Sequence, residues 1–222
     1  GISPEVVHAE SGALVLRFIE GKTLEAEDLR DFSKMEKVVS LLKTCHQEMP
    51  QHLPGSTLIF WVFQVIRGYA NTLRVGKSRM IPELSKFLEI NAGMEKTVGK
   101  IDLCFGHNDL LAGNFIDDGQ RLWLIDWDYA GFNSPLFDLA NLASNNEFPE
   151  KLERQLLKMY FEQSVSVNLW KRYFAMKCAS LLRETMWSMV SEIHSTLDFD
   201  FVKYTGENLE RFEMIYAQYE NL

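Results

Sequence analysis

HNDLLAGN (residues 107–114) and LWLIDWDY (residues 122–129) are the two stretches of this chain that decide its fold. The end of the first stretch and the start of the second predict a hairpin, because the turn Asp117-Asp118-Gly119-Gln120 separates two short apolar strands, Asn114–Ile116 and Leu122–Ile125. The two strands of a hairpin are neighbours, so we expect Asn114 and Asp126 to lie close together although they are twelve positions apart. Asp109 lies on the predicted loop that leads into this hairpin.

Helical periodicity predominates outside the hairpin. The β-forming residues at 13–19 predict one strand, and apolar spacing predicts a helix within 25–48 that Met49-Pro50 ends. A second, very apolar helix is expected from a cap at Ser56 or Thr57 to about Leu73, in the centre of the domain. Pro82 opens a third helix that reaches about Lys100. After Pro135 four more are predicted, at about 136–145, 150–163, 167–194 and 199–219.

The composition excludes several classes of protein. Of 222 residues, 46% are hydrophobic and 24% charged, which is typical of a packed domain. The net charge of −8 argues against a nucleic-acid partner, and no apolar stretch reaches the ~20 residues of a membrane span. Three widely spaced cysteines favour small buried side chains over disulfides or a metal site, and a reducing cytoplasm is expected. The oligomeric state stays open.

Phosphoryl transfer to a hydroxyl needs side chains of the types found in the loop and hairpin. A carboxylate must orient the acceptor hydroxyl and take its proton, and oxygen ligands must hold Mg²⁺ against the phosphates of ATP. Asp109 can do the first, while Asn114 and Asp126 can do the second. Taken singly, each could instead be a turn, cap or surface residue. A metal or hydrolytic pair of His107 and Asp109 is also open, although no third ligand lies at metal spacing.

The pattern H-x-D-x(4)-N, followed by an apolar strand that ends in Ile-Asp, is the layout of a kinase catalytic loop and metal-binding loop. Its extended form here, HND-x(4)-N and then LIDWDYAG-x-N-x(4)-D, resembles the choline/ethanolamine kinase family within the aminoglycoside phosphotransferase group. The resemblance implies an α+β, protein-kinase-like fold, chiefly its helical C-terminal lobe. Residues 1–20 would be a remnant of the N-terminal lobe and hinge, and residues 21–222 the helical catalytic lobe.

The same resemblance assigns roles to individual residues, with ATP and Mg²⁺ as cofactors. Asp109 would be the catalytic base, and the metal ligands would be Asn114, Asp126 and a second acidic residue, Asp128. His107 and Asp138 would support the loop, Asp138 through hydrogen bonds to the loop backbone. The adenine would lie against the hinge near the backbone of Phe18 and Ile19, over an apolar floor of Ile116 and Ile125.

The late helices resemble the acceptor site of the family, which holds a cationic alcohol through aromatic faces and a carboxylate. Arg183–Trp187 and Phe199–Tyr204 match its W-x-x-W and Y-x-x-Y patterns, except that Glu184 and Phe201 replace the first aromatic residue of each pair. The expected acceptor-site residues are Tyr129, Glu184, Trp187 and Tyr204. Packing in the core is the alternative for these aromatic residues, and it is favoured for Phe201.

The chain contains no Gly-rich phosphate loop and no strand lysine paired to a helix glutamate, which kinases of this type use. Gly1-Ile2-Ser3-Pro4 resembles the G-[IL]-x-P segment that follows those elements in the family, so we expect the chain to start inside the N-terminal lobe. The expected function is ATP-dependent phosphorylation of choline, ethanolamine or a related amino alcohol. The alternatives are a kinase of an aminoglycoside, thiamine or a sugar, and a non-catalytic ligand-binding pseudokinase.

Overall fold

Helices make up most of the computed structural model, which describes residues 1–222. The strands are short: β1 (Val6–Glu10), β2 (Ala13–Leu16), β3 (Lys22–Thr23), β4 (Cys104–Gly106), β5 (Phe115–Asp117), β6 (Leu122–Leu124) and β7 (Gly131–Asn133). The α-helices are α1 (Ala26–Arg30), α2 (Phe32–Lys43), α3 (Val62–Val75), α4 (Leu84–Val98), α5 (Pro135–Asn145), α6 (Glu150–Phe161), α7 (Val167–His194) and α8 (Phe201–Glu220). No helix is both long and apolar enough to span a membrane.

Helix α7 forms the centre of the domain. Every residue from Tyr173 to Arg183 is buried, so the helix is enclosed on all faces, and α3, α4, α5 and α8 pack around it. The expectation that the helix ending near Leu73 occupies this place is wrong. That helix, α3, buries only one face, and its exposed residues include Val75. Overall apolar content did not reveal that its apolar side chains are confined to one stripe.

Two predicted helix boundaries are also wrong. Helix α3 begins at Val62 rather than after Ser56 or Thr57, because residues 58–60 extend along β7 instead. The Phe60 amide donates to the carbonyl of Phe132 (2.9 Å), and the Phe132 amide donates to the carbonyl of Leu58 (2.8 Å).

The region 25–48 is not one helix. Asp31 separates α1 from α2 by accepting a hydrogen bond from the Ser33 amide at 2.9 Å. After α2 the chain continues through a π-helical turn, Thr44–Glu48, and a 3₁₀ turn, Met49–His52, so Met49-Pro50 does not stop it.

The predicted hairpin is confirmed. Strands β5 and β6 pair antiparallel with Phe115 opposite Leu124, and β3 adds a third strand on the other side of β5. The Ile125 amide donates to the carbonyl of Asn114 at 3.0 Å. The backbones of Asn114 and Asp126 are therefore adjacent, as the hairpin implied.

The strand predicted at 13–19 is present in part, as β2, and pairs with β1, which the sequence did not indicate. Strands β4 and β7 form a further two-stranded sheet that frames the loop between β4 and β5. The four helices after Pro135 agree with the prediction to within two residues at each end. All three cysteines are buried and free.

Candidate active site

The loop after β4, residues 107–112, is fastened to helix α5 through its backbone. One oxygen of Asp138 accepts the amide of His107 and the other that of Asn108, both at 2.8 Å. Asn141 Oδ1 accepts the amide of Leu110 at 2.6 Å. Two side chains of α5 thus fix the peptide groups of His107, Asn108 and Leu110, which leaves the loop little freedom to move.

Two of these anchors were missed by the sequence analysis, Asn141 and Asn146. Asn146 Oδ1 accepts the Ala112 amide at 3.0 Å, while its Nδ2 donates to the Leu110 carbonyl at 3.0 Å. Both asparagines are at most 1% exposed. Their signal in the sequence was their placement on or just after a mostly apolar helix, where a buried amide needs hydrogen-bond partners.

A buried histidine completes the support of Asp138. His46, on the π-helical turn, places Nε2 2.9 Å from Asp138 Oδ2 and Nδ1 2.7 Å from the Tyr160 hydroxyl. Burial alone would raise the pKa of Asp138, but the hydrogen bond and charge of His46, with help from His107, hold that pKa below its usual value. His46 was not expected, because its turn lies sixty residues before the loop.

Two residues of the site have left-handed backbone, Asn108 (φ 65°) and Asp126 (φ 64°). Such a conformation is costly for a residue other than glycine and persists only where the surroundings enforce it. At Asn108 the side chain does so, since Nδ2 donates to the carbonyls of Tyr129 (3.0 Å) and Gly131 (3.1 Å). Strained backbone therefore occurs at both ends of the segment that carries the motif.

His107 links the loop to the end of β6. Its Nε2 lies 2.9 Å from the Ile125 carbonyl oxygen, which makes it the donor to that carbonyl, and its ring packs edge-on against Trp127. Nδ1 has no partner within the chain. This contact ties the residue just before Asp126 to the loop that carries Asp109.

Asn114, Asp126 and Asp128 are the metal ligands expected from the sequence. Asn114 is buried, and its Nδ2 donates to the Asp109 carbonyl at 2.9 Å, which leaves Oδ1 for a cation. Asp126 and Asp128 are exposed. No three His, Cys, Asp or Glu side chains cluster closely enough to hold a metal ion by themselves. An amide and a carboxylate oxygen suit Mg²⁺, which takes one or two carboxylates and completes its shell with phosphates and water.

Asp109 borders a cavity of about 290 Å³ between the loop, α7 and α8. All of the residues expected at the acceptor site line this cavity with it: Tyr129, Glu184, Trp187 and Tyr204. The other lining residues are Leu111, Asn145, Arg183 and Arg211, none of which the sequence analysis selected. Phe201 is 9% exposed and packs against Trp187 with 6.2 Å between ring centres, outside the cavity lining.

Arg183 is the most buried charged residue of the cavity, with 2% of its side chain exposed. Its Nη1 lies 3.0 Å from Glu184 Oε2 and 3.5 Å from Asp109 Oδ1, and its guanidinium carbon lies 4.7 Å from the centre of the Tyr129 ring. Burial raises the pKa of Asp109 above its usual value; the Arg183 charge opposes that rise, and Glu184 adds to it. A raised pKa suits a carboxylate that must take a proton.

The residues expected around the adenine all keep some exposed surface. Phe18 has 85% of its surface exposed, and Ile19, Ile116 and Ile125 are half-buried. Because Gly21 has no side chain, the backbone after Ile19 can pack in close contact with β5. A Cβ atom at Gly21 would lie 2.7 Å from the Asp117 carbonyl oxygen and 2.8 Å from Ile116 Cγ2.

The profile of the family described as "Choline/ethanolamine kinase" matches residues 1–160. The chain belongs to the choline/ethanolamine kinase family. Among curated proteins, Protein LicA of Haemophilus influenzae is 27% identical over 203 residues, which cover 87% of this chain and 74% of LicA. Ethanolamine kinase 2 of Mus musculus is 23% identical over 229 residues, which cover 92% of this chain and 59% of that kinase. The chain thus spans between about three fifths and three quarters of these family members.

Solved structures support the protein-kinase-like fold. A choline/ethanolamine kinase family protein from Mesorhizobium loti superposes with a TM-score of 0.82 and 23% identity, over 96% of this chain and 74% of that protein. LicA in complex with AMP gives a TM-score of 0.76 and 25% identity, over 98% of this chain and 73% of LicA. Aminoglycoside 2'-phosphotransferase-IIIa, at 0.64 and 14% identity, shares the fold over 97% of this chain and 75% of its own.

Proposed function

We propose that this chain carries the catalytic lobe of an ATP-dependent phosphotransferase that acts on the hydroxyl of a small amino alcohol such as choline or ethanolamine. The observation that carries the proposal is the cavity in which Asp109 lies beside Glu184, Tyr129, Trp187 and Tyr204. A carboxylate and aromatic faces can hold an ammonium group, and Asp109 is positioned to meet the hydroxyl of the same molecule. Membership of a kinase family supports the assignment.

In the proposed mechanism Asp109 orients the acceptor hydroxyl and receives its proton as the oxygen attacks the γ-phosphorus of ATP. The bond from that phosphorus to the β–γ bridging oxygen breaks, and ADP leaves. Asp138, Asn141 and Asn146 accept hydrogen bonds from backbone amides of the loop and so hold it in one position. A bound acceptor would therefore meet Asp109 in a fixed orientation. Asn114 and Asp126 would hold a Mg²⁺ ion, with Asp128 as a further ligand, and the ion would neutralise charge on the phosphates. His107 keeps the Asp126 segment beside the loop.

ATP is proposed to bind between the hinge and the hairpin. Backbone groups at Phe18 and Ile19 would pair with the adenine, and Ile116 and Ile125 would form the apolar floor beneath it. The family member LicA has been solved with AMP, which supports a nucleotide site. In this assignment residues 1–20 are the remnant of an N-terminal lobe and hinge, and residues 21–222 are the catalytic lobe. The three free thiols are consistent with a cytoplasmic setting.

The test is a transfer assay with γ-labelled ATP, Mg²⁺ and four acceptors: choline, ethanolamine, thiamine and an aminoglycoside. The complete gene product is used. Label on choline or ethanolamine supports the proposal, and label on thiamine or the aminoglycoside alone contradicts it. Binding of ATP with no labelled product from any acceptor would favour a ligand-binding pseudokinase instead.

A further inference from the structure

The acceptor cavity contains as many fixed positive charges as negative ones. Asp109 and Glu184 supply two carboxylates, and Arg183 and Arg211 supply two guanidinium groups. Arg211 is held in place through a hydrogen bond from Nη2 to the Ser144 carbonyl. A cavity of this kind does not attract a cation through net charge, so an ammonium group must be held by specific contacts.

Arg183 already occupies the aromatic and anionic surfaces that a bulky cation would use. Its guanidinium lies over the Tyr129 ring at 4.7 Å and donates to Glu184 at 3.0 Å. Burial opposes its charge, but Glu184 and Asp109 raise the pKa of Arg183 above the usual value, so it stays protonated. Its Nε is buried without a partner in the chain. One face of Tyr129 is therefore covered by the protein's own cation.

The other two aromatic residues of the cavity, Trp187 and Tyr204, each contact a neighbouring ring. Trp187 packs edge-on against Phe201, and Tyr204 packs edge-on against Phe199, with ring centres 6.2 and 5.7 Å apart. In contrast, hydrogen-bond acceptors are available. Glu184 receives one bond from Arg183 at Oε2 and one from the Tyr204 hydroxyl at Oε1 (2.9 Å), and each carboxylate oxygen can accept a second.

We propose that Arg183 makes this cavity selective for an acceptor with a primary ammonium group, such as ethanolamine, over one with a trimethylammonium group, such as choline. The inference rests on the proposed function. A primary ammonium has three N–H donors and can bond to Glu184 and to the amide oxygen of Asn145. A trimethylammonium has none and depends on aromatic faces, of which Arg183 covers one.

The test compares kcat/KM for ethanolamine and choline in the complete gene product with ATP and Mg²⁺. Ethanolamine is expected to be favoured at least ~10-fold, the scale of one charge-assisted hydrogen bond. In Arg183→Met the Tyr129 face is uncovered and Glu184 loses its internal cation, so the ratio of choline to ethanolamine should rise at least ~10-fold. Equal use of both acceptors by the wild type, or an unchanged ratio in Arg183→Met, overturns the inference while the proposed function stands.

A second variant guards against misfolding of Arg183→Met. Glu184→Gln keeps the shape of the side chain but removes its charge, and it should raise KM for ethanolamine ~10-fold with a smaller effect on choline. Glu207→Gln removes an exposed carboxylate of α8 that lies outside this cavity and should change neither constant. Equal effects of Glu184→Gln on both acceptors would contradict the inference.

If the wild type phosphorylates neither compound, the proposed function fails, and calorimetric titration with each compound in the absence of ATP still decides selectivity. Tighter binding of ethanolamine than of choline supports the role of Arg183. Equal binding, or tighter binding of choline, overturns it.

Discussion

Replacement of Asp138 by Asn is expected to destabilise the domain and slow catalysis together, because this one carboxylate supports the loop that carries Asp109. In the wild type its two oxygens accept the amides of His107 and Asn108, both at 2.8 Å, and one of them also contacts His46 at 2.9 Å. The side chain is 1% exposed. An asparagine keeps one acceptor oxygen but presents an NH₂ group where the second oxygen was.

The size of the stability loss follows from the hydrogen-bonding groups that Asp138→Asn leaves without a partner. One buried loop amide loses its acceptor, at ~1–3 kcal/mol, and His46 loses its carboxylate partner. Removal of one member of a buried, hydrogen-bonded pair costs ~3–5 kcal/mol in all, which is the loss expected for Asp138→Asn. Urea unfolding, followed by tryptophan fluorescence at pH 7, measures it. Asp118→Asn, in the exposed hairpin turn, is the matched control and should cost much less, because water can replace the bonds that this side chain accepts.

The pH dependence of the free energy of unfolding tests the same role of Asp138 independently. The pKa of Asp138 is lowered in the folded state, so its charge stabilises the fold above the unfolded carboxyl pKa of ~3.9, and this contribution is lost as pH falls through the folded value. The gap between wild type and Asp138→Asn should therefore narrow in acid. A loss under 1 kcal/mol at pH 7, or a gap that widens as pH falls, would refute the reasoning.

Three further predictions concern the cation, the base and the hinge. Asp126→Asn should raise the Mg²⁺ concentration needed for half-maximal activity ~10-fold or more, because one anionic ligand is lost. Magnesium titration of the transfer assay measures this, and an unchanged titration would show that Asp126 is not a ligand. The acid limb of kcat/KM should lie at higher pH than for an ordinary aspartate, since burial raises the pKa of Asp109. It should move to still higher pH in Arg183→Met, where the opposing charge is gone, and a limb that moves to lower pH would contradict this electrostatic account. Gly21→Ala should lower the free energy of unfolding, measured in urea, by ~1–3 kcal/mol and weaken ATP binding, because the added Cβ would clash with Asp117 and Ile116. An ATP titration that matches the wild type would show that nucleotide binding does not depend on this close contact.

The sequence predicted the fold best where local rules act alone. The Asp-Gly turn and its flanking apolar residues predicted the β5–β6 hairpin, and with it the adjacency of Asn114 and Asp126. The prediction failed where the conformation of a segment depends on partners that are distant in the sequence. Leu58–Phe60 had the apolar character of a helix start, but β7 supplied hydrogen bonds that keep this segment extended. No local pattern reveals a partner seventy residues away.

The site shows the same division. The motif selected Asp109, and the resemblance selected Glu184, Trp187 and Tyr204, which line one cavity with it. Arg183 escaped notice although it lies next to Glu184, because a lone arginine on a helix is ordinarily a surface residue. Only the packing of α7 in the centre of the domain turns it inward. His46 was missed for the related reason that its partner, Asp138, is distant in sequence.

The central claim is that Asp109 is the base of a phosphoryl transfer, and one comparison tests it most directly. Transfer from γ-labelled ATP to choline and to ethanolamine is measured for the wild type, Asp109→Asn and Asp102→Asn, an exposed carboxylate upstream of β4 that serves as control. The account predicts that Asp109→Asn lowers kcat at least ~100-fold while ATP binding is kept, and that Asp102→Asn matches the wild type. Turnover of Asp109→Asn within a few fold of the wild type would contradict it.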